Sequence, residues 1–186
     1  MTVVLETERL VVREWEQPDA ERLYDIYSRP DVVRYLGAVP TVMPSLATAY
    51  ERIERARLRN GADRDAGRPT GWWAVEVRES GVVAGTVALV TVEGSTDPDA
   101  QIEVAWTLHP DSHGHGYATE AARAVLARGH DAGLAEILAL TDPANTPSQA
   151  VCRRLGLEPG GTSEAYYGKP LLVWLSRTAD EPAASR

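Results

Sequence analysis

The stretch QIEVAWTLHPDSHGHGYATEAARAVLARGHDAG, residues 101–133, constrains the fold more than any other part of the chain. Its first eight residues read as a strand. Gln101, Glu103, Ala105 and Thr107 would share one face, and Ile102, Val104, Trp106 and Leu108 the other. Gly114 and Gly116 follow, and a run of strong helix formers starts at once. A helix that opens from a glycine-rich turn presents main-chain N–H groups without intrahelical partners, at the positive end of its dipole. Such a turn binds phosphate without needing basic side chains. Gly133 closes the run as a good helix C-cap.

Three of the four histidines, His109, His113 and His115, fall within seven positions of this segment. Their H-x3-H spacing would suit a metal site on a helix, but Pro110 and the glycines prevent a helix there. Neither H-E-x-x-H nor C-x-x-C occurs in the sequence. The metal reading is the outsider, and no metal is expected. The glycines do not form a Walker loop, because G-K-[ST] is absent. Nor do they form the dinucleotide fingerprint, because Thr119 stands where a third glycine is needed. A G-x-G by itself is a weak signal, and a tight strand-to-helix turn without a ligand would look the same.

The surrounding pattern predicts one mixed sheet. LETERLVVREW, residues 5–15, reads as an opening strand, and Pro18-Asp19 starts a helix with Leu23, Ile26 and Tyr27 on its apolar face. The proline-rich RPDVVRYLGAVPTVMP is irregular. A second helix is expected from about Ser45 to Asn60, with Leu46, Tyr50, Ile53, Ala56 and Arg57 recurring at helical intervals. A mobile polar loop is expected over residues 61–70. Strands over 71–77 and 82–92 form a hairpin through Glu79–Gly81, and GSTDPDA, residues 94–100, is a further turn. After the glycine turn come a helix near 118–132, the strand ILALT, a short helix over Ser148–Leu155 and a closing pair around SEAYY and LLVWLSR. The order of elements predicts an α+β (α/β-like) fold. The chain reads as a single domain over 1–176, with a disordered tail over 177–186.

At 186 residues the chain suits one domain, and its composition, 44% hydrophobic and 25% charged, is that of an ordinary soluble globule. The lone Cys152 excludes an internal disulfide and suits a reducing compartment. MTVVLETERL lacks the pattern of a signal peptide, and no apolar stretch approaches the roughly 18 residues of a membrane span. A cytoplasmic location is expected. The net charge of −8 offers no general attraction for nucleic acid or anionic membranes, so neither is expected as a partner. It could favour a cationic acceptor, although solubility is the commoner use of such charge.

His113-Gly114-His115-Gly116-Tyr117-Ala118 resembles the cofactor loop of the GNAT superfamily of N-acetyltransferases, Q/R-x-x-G-x-G/A at the start of a helix. A second match follows in the right order: Asn145-Thr146-Pro147-Ser148, then a helix ending at Leu155-Gly156-Leu157. With TERLVVREW near the start, the chain resembles the RimJ/RimL-like branch, which acetylates amines including protein N-termini. The resemblance runs from about Glu6 to Trp174 and departs at His113, where the family has Gln or Arg.

The resemblance implies a single mixed, mostly antiparallel twisted sheet with a splayed parallel pair at its centre, flanked by about four helices. It implies acetyl-CoA as co-substrate and a small-molecule or peptide amine as acceptor. A homodimer through the terminal strands is a further implication. The pantetheine arm would pair with backbone near Leu108 and His109, and a main-chain N–H around Leu108 would polarise the thioester carbonyl. His113, Gly114, His115, Gly116, Tyr117, Ala118 and Thr119 would hold the pyrophosphate. Glu103 would be the general base, Asn145 would lie near the pantetheine and Ser148 near the sulfur. A solvent-facing strand glutamate and a helix-capping Asn145 are the plainer readings of those two residues. Where many members carry a tyrosine acid, this chain has Cys152, which leaves Ser148, Tyr166, Tyr167 or water to protonate the thiolate. Tyr35, Trp72 and Trp73 are expected near the acceptor, with one tryptophan of the pair turned to the core. An acyl-CoA-binding sensor without turnover is the alternative.

Overall fold

In the computed structural model, which describes residues 1–92 and 101–178, eight strands form one sheet in the order β1-β2-β3-β4-β5-β6-β8-β7. The strands are β1 (Val3–Glu6), β2 (Leu10–Arg13), β3 (Gly71–Val77), β4 (Val83–Thr91), β5 (Ile102–Leu108), β6 (Glu136–Thr141), β7 (Glu158–Ser163) and β8 (Leu171–Arg177). Five helices are described: α1 (Ala20–Tyr27), the single turn α2 (Pro30–Val33), α3 (Leu46–Asp65), α4 (Tyr117–Asp131) and α5 (Thr146–Leu155). Every neighbouring pair is antiparallel except β5 and β6, whose parallel ladder has one registered pair, Glu103 opposite Leu138. Beyond that pair the two strands part. The mixed sheet with a splayed central parallel pair is the architecture expected from the resemblance.

Alternation along the strands sorts the core into two layers. Trp73 and Val75 of β3, Val87 and Leu89 of β4 and Ile102, Val104 and Leu108 of β5 pack with Ala121, Ala122 and Val125 of α4. On the other face Ala74 and Val83 pack with Trp15, Leu23, Ile26 and Ile53, under α1 and α3. Glycine sets one strand spacing: a Cβ on Gly85 would meet the Thr107 carbonyl oxygen at 2.2 Å, so only glycine lets β4 lie against β5 there.

Several boundaries differ from expectation for identifiable reasons. LETERLVVREW is a hairpin rather than one strand. Thr7 turns the chain by accepting from Leu10 N–H through its hydroxyl (3.0 Å) and donating its own N–H to the Leu10 carbonyl (2.9 Å). The helix expected to end near Asn60 runs on through the supposed mobile loop to Asp65. Its polar last turn is used for anchoring: Asp63 is buried and accepts from Thr70 Oγ1 at 2.8 Å. Tyr50, expected on the apolar face, points outward, and Ala49 takes its place. The last hairpin uses EPGGTS as its first strand, and SEAYY lies in the connection. Arg177, expected in the tail, belongs to β8 and pairs with Glu136 and Glu158. The turn expected over 94–100 and residues 179–186 of the expected tail lie outside the described residues.

Candidate active site

A cleft of about 270 Å³ opens on the α1–α3 face of the sheet and runs to the gap between β5 and β6. Opposite residues of neighbouring strands share a face, so the register builds its floor. Trp72 lies beside Ala88 and Ala88 beside Ala105, with Glu103 beside Val90 one step along. Ala88 and Ala105 keep that floor low. Glu103 is only 6% exposed, and the Tyr167 hydroxyl donates to its Oε2 at 2.7 Å. Tyr167 has φ 55°, a left-handed conformation uncommon for a non-glycine residue, and lines the cleft.

Main-chain groups at the gap follow from parity. His109 N–H donates to the Ala84 carbonyl at 2.9 Å, and the Gln101 carbonyl accepts from Val92 at 3.0 Å. Odd-numbered residues of β5 therefore turn their backbone groups toward β4. Those of Trp106 and Leu108 face the side where β6 diverges. His109, expected to offer backbone to a bound arm, has its N–H in the sheet and its ring in a network. Nε2 lies 2.9 Å from Asp25 Oδ2, and Nδ1 accepts from the Asp111 N–H at 3.2 Å.

The turn after β5 is shaped by its glycines. Gly114 and Gly116 both have φ 81°, and Gly116 is the N-cap of α4. A Cβ on Gly114 would meet nothing within 4 Å, so the surface above it is open. Glu120 N–H makes the first intrahelical bond, to the Gly116 carbonyl (3.1 Å), which leaves the N–H groups of Tyr117, Ala118 and Thr119 ahead of the helix ladder. Arg9 is locked beside this turn: it donates to the His115 carbonyl at 2.9 Å and pairs with Glu120 at 2.6 Å. Arg154 Nε reaches Thr119 Oγ1 at 3.3 Å. The three histidines diverge, with His113 toward the Leu108 carbonyl (3.3 Å) and His115 stacked on Tyr117 (5.3 Å between ring centres).

Open, positive-φ glycines, N–H groups ahead of the helix ladder and a splayed strand pair fit a long ligand with a pyrophosphate and an amide-bearing arm. A family model for the acetyltransferase (GNAT) domain matches residues 9–158. The chain belongs to the GNAT acetyltransferases. Acetyl-CoA is its acyl donor and N-acetylation its reaction class. The chain is 27% identical over 156 residues to the uncharacterized N-acetyltransferase YnaD of Bacillus subtilis (strain 168), covering 83% of this chain and 82% of YnaD. Among solved structures, the ribosomal-protein-S5-alanine acetyltransferase of Vibrio fischeri shares the fold (TM-score 0.71, 19% identity, 96% and 98% of the two chains). So does the microcin C7 self-immunity acetyltransferase MccE, solved with acetyl-CoA and AMP (TM-score 0.74, 14% identity, 92% and 94%).

The remaining expected residues of the acetyltransferase fall as follows. Asn145 is the N-cap of α5, its Oδ1 accepting from Ser148 N–H at 3.2 Å, and both residues line the cleft. Tyr35 lines it too and donates to the Ala144 carbonyl at 3.3 Å, joining the loop after α2 to the loop before α5. Trp72 is on the cleft side, stacked on Trp15 at 5.3 Å. Trp73 is not in the cleft, because it points through the sheet into the α4 core at 2% exposure. Cys152 is fully buried, and burial pushes its thiol up to about 12, too weak an acid to supply a proton and too neutral to attack. Tyr166 donates to the side chain of Gln101.

Sequence reading missed Arg9, Arg154, Arg52 and Lys169. The first two stand over the α4 turn, and the last two line the cleft. Their pattern offered no signal, since 18 arginines are spread along the whole chain. Lys169 is the sole lysine, which alone could have marked it.

Proposed function

We propose that Glu103 takes the proton from an acceptor amine, directly or through a water, while the turn over residues 113–119 holds the pyrophosphate of acetyl-CoA. The observation that carries this reading is the position of Glu103. It is the last registered residue before β5 and β6 part, buried on the floor of a cleft that extends from Trp72 to Ser148. Acetyl-CoA supplies the thioester acetyl group. The N–H of Leu108, facing the gap, polarises the carbonyl that receives the amine. Main-chain N–H groups of Gly114 through Thr119 bind the pyrophosphate, and Arg9 and Arg154 add positive charge at its rim. Asn145 borders the pantetheine, Ser148 lies at the sulfur, and Tyr35 and Trp72 border the acceptor. Tyr167 both orients Glu103 and is placed to return a proton to the thiolate, the role Cys152 is too buried to fill. By resemblance the enzyme is a RimJ/RimL-like transferase of the cytoplasm, pairing as a homodimer through the outer edges of β1 and β7.

The test is release of CoA thiol from acetyl-CoA with a panel of amines, peptides, polyamines and aminoglycosides. Glu103→Gln should lower kcat by about 10²–10⁴, the usual scale of a lost general base, and leave acetyl-CoA affinity unchanged. An unchanged rate and pH profile would remove Glu103 from the mechanism. A sensor without turnover would bind acetyl-CoA and release no thiol with any amine.

A further inference from the structure

The cleft holds a cation that the proposed chemistry does not use. Arg52, on α3, lies with its guanidinium 4.2 Å from the ring centre of Tyr27 and 4.7 Å from that of Trp72. Tyr27 is itself held from below, its hydroxyl donating to Thr86 Oγ1 at 3.2 Å. The two rings fix the guanidinium in place and leave its N–H edges for another partner. Among the described residues no carboxylate or other acceptor takes them, although acidic residues outnumber basic ones 27 to 19. Arg9, Arg13, Arg22, Arg29, Arg64, Arg68, Arg78 and Arg177 all have acidic partners. Lys169, the only lysine, lines the same cleft and likewise has no ion pair among the described residues.

We propose that the acceptor is a zwitterion: an amine that seats beside Glu103 and carries a carboxylate or phosphate that seats on Arg52. This rests on the transferase reading above and deepens it. The overall charge of −8 does not argue against it, because a Debye length of about 8 Å makes the local charges in a partly closed cleft decisive. The register also sets the spacing. Trp72, which carries Arg52, is two strands across and two residues along from Glu103. At ~4.8 Å per strand and ~3.4 Å per residue, their Cα atoms are about 12 Å apart. Amine and anion therefore belong several ångströms apart, as in a dipeptide or tripeptide, farther than within a free α-amino acid. Trp72 acts here as a positioning residue, holding the cation rather than touching the amine.

The experiment compares matched acceptors in the CoA-release assay. Di- and tripeptides are set against their C-terminal amides, and phosphoethanolamine and longer phosphoamines against the corresponding alcohols, which separates carboxylate from phosphate. The free-anion member of one series should have a kcat/KM at least about tenfold higher, chiefly through KM, with the advantage shrinking in high salt. Arg52→Met should abolish that preference, bringing kcat/KM for the anion-bearing acceptors down to that of their amide or alcohol counterparts, and Arg52→Lys should restore part of it. Thermal melts of each variant and calorimetric titration with acetyl-CoA separate this effect from lost folding. Equal rates with anion-bearing and neutral acceptors, an unaltered preference in Arg52→Met, or no turnover across both series would overturn the zwitterion inference. Failure to bind acetyl-CoA at all would instead overturn the transferase reading beneath it.

Discussion

Glu103 and Tyr167 show what one residue reveals about itself in a sequence. Alternation along QIEVAWTL is enough to put Glu103 on a definite face of its strand, and that face is the cleft floor. Tyr167 could not be assigned in this way. It is 64 positions away in an irregular connection, and its hydroxyl reaches Glu103 only because a left-handed turn aims it there. Cys152 carries a prediction at this scale. Its thiol is buried and pushed up to about 12, so at pH 8 it is almost wholly protonated and sheltered. Iodoacetamide should leave the folded enzyme unmodified and fully active, and should alkylate the cysteine once guanidinium unfolds the chain. Cys152→Ala should keep CoA release within about threefold and cost about 1 kcal/mol of stability. Rapid alkylation of the native protein with loss of activity would contradict the buried, non-catalytic assignment.

At the scale of elements, regular alternation and punctuation made β3, β4, β5, α4 and β6 readable to within a residue or two. Where structure depends on distant partners, the reading failed. Residues 61–65 look like loop because they are polar and contain glycine, yet Asp63 is spent on the segment that leads into β3, accepting from Thr70 and pairing with Arg68, and Arg64 pairs with Glu14. Asn60 is the centre of that anchorage. Strand β2 pairs with β3 only from Ala74 onward, so Trp72 would otherwise have no ladder partner on that side. The Asn60 amide supplies one, accepting from Trp72 N–H at 3.0 Å and donating to its carbonyl at 3.1 Å, with a further bond to Glu14 at 2.7 Å. Asn60→Ala should therefore cost about 2–3 kcal/mol, because it leaves partly buried main-chain groups of Trp72 unpaired and strips Glu14 of its closest donor, leaving it only Arg64 at 3.6 Å. Asn60→Asp should not rescue it: the aspartate cannot donate, and it adds charge beside Glu14. Denaturant melts read both, and a loss below ~0.5 kcal/mol for Asn60→Ala would show that water replaces the amide.

For the whole molecule, the folding problem is to join an N-terminal region, which carries the proposed acceptor side of the cleft, to the turn proposed to hold the acyl donor. The joint is electrostatic. On α1, burial pushes the carboxyl of Asp25 up, but Arg29 and His109 outweigh it and hold the group below its ordinary value. Hydrogen bonds from Arg22, also on α1, hold Asp111 of the turn well below the carboxylate range, helped by Ser112 and His109. For Glu120 in the first turn of α4, burial again pushes upward, and Thr7 and Arg9 of the β1–β2 turn more than reverse it. All three folded-state values lie below those of the unfolded chain, so the unfolded state binds more protons in acid. Their stabilisation is complete above the unfolded values, about pH 4, and is lost as pH falls through the lower folded values. Melting temperature should accordingly hold near neutrality and fall below about pH 4, less steeply in high salt because these carboxylates are partly solvated. Acetyl-CoA affinity should fall in the same window, since the same three groups fix the turn proposed to hold it. Arg22→Met tests the joint directly. Without its guanidinium Asp111 titrates closer to its ordinary value, so the variant should be less stable at pH 7 and show a flatter decline between pH 4 and 2. Curves for the variant and parent that run parallel through that range would place the acid sensitivity elsewhere in the fold.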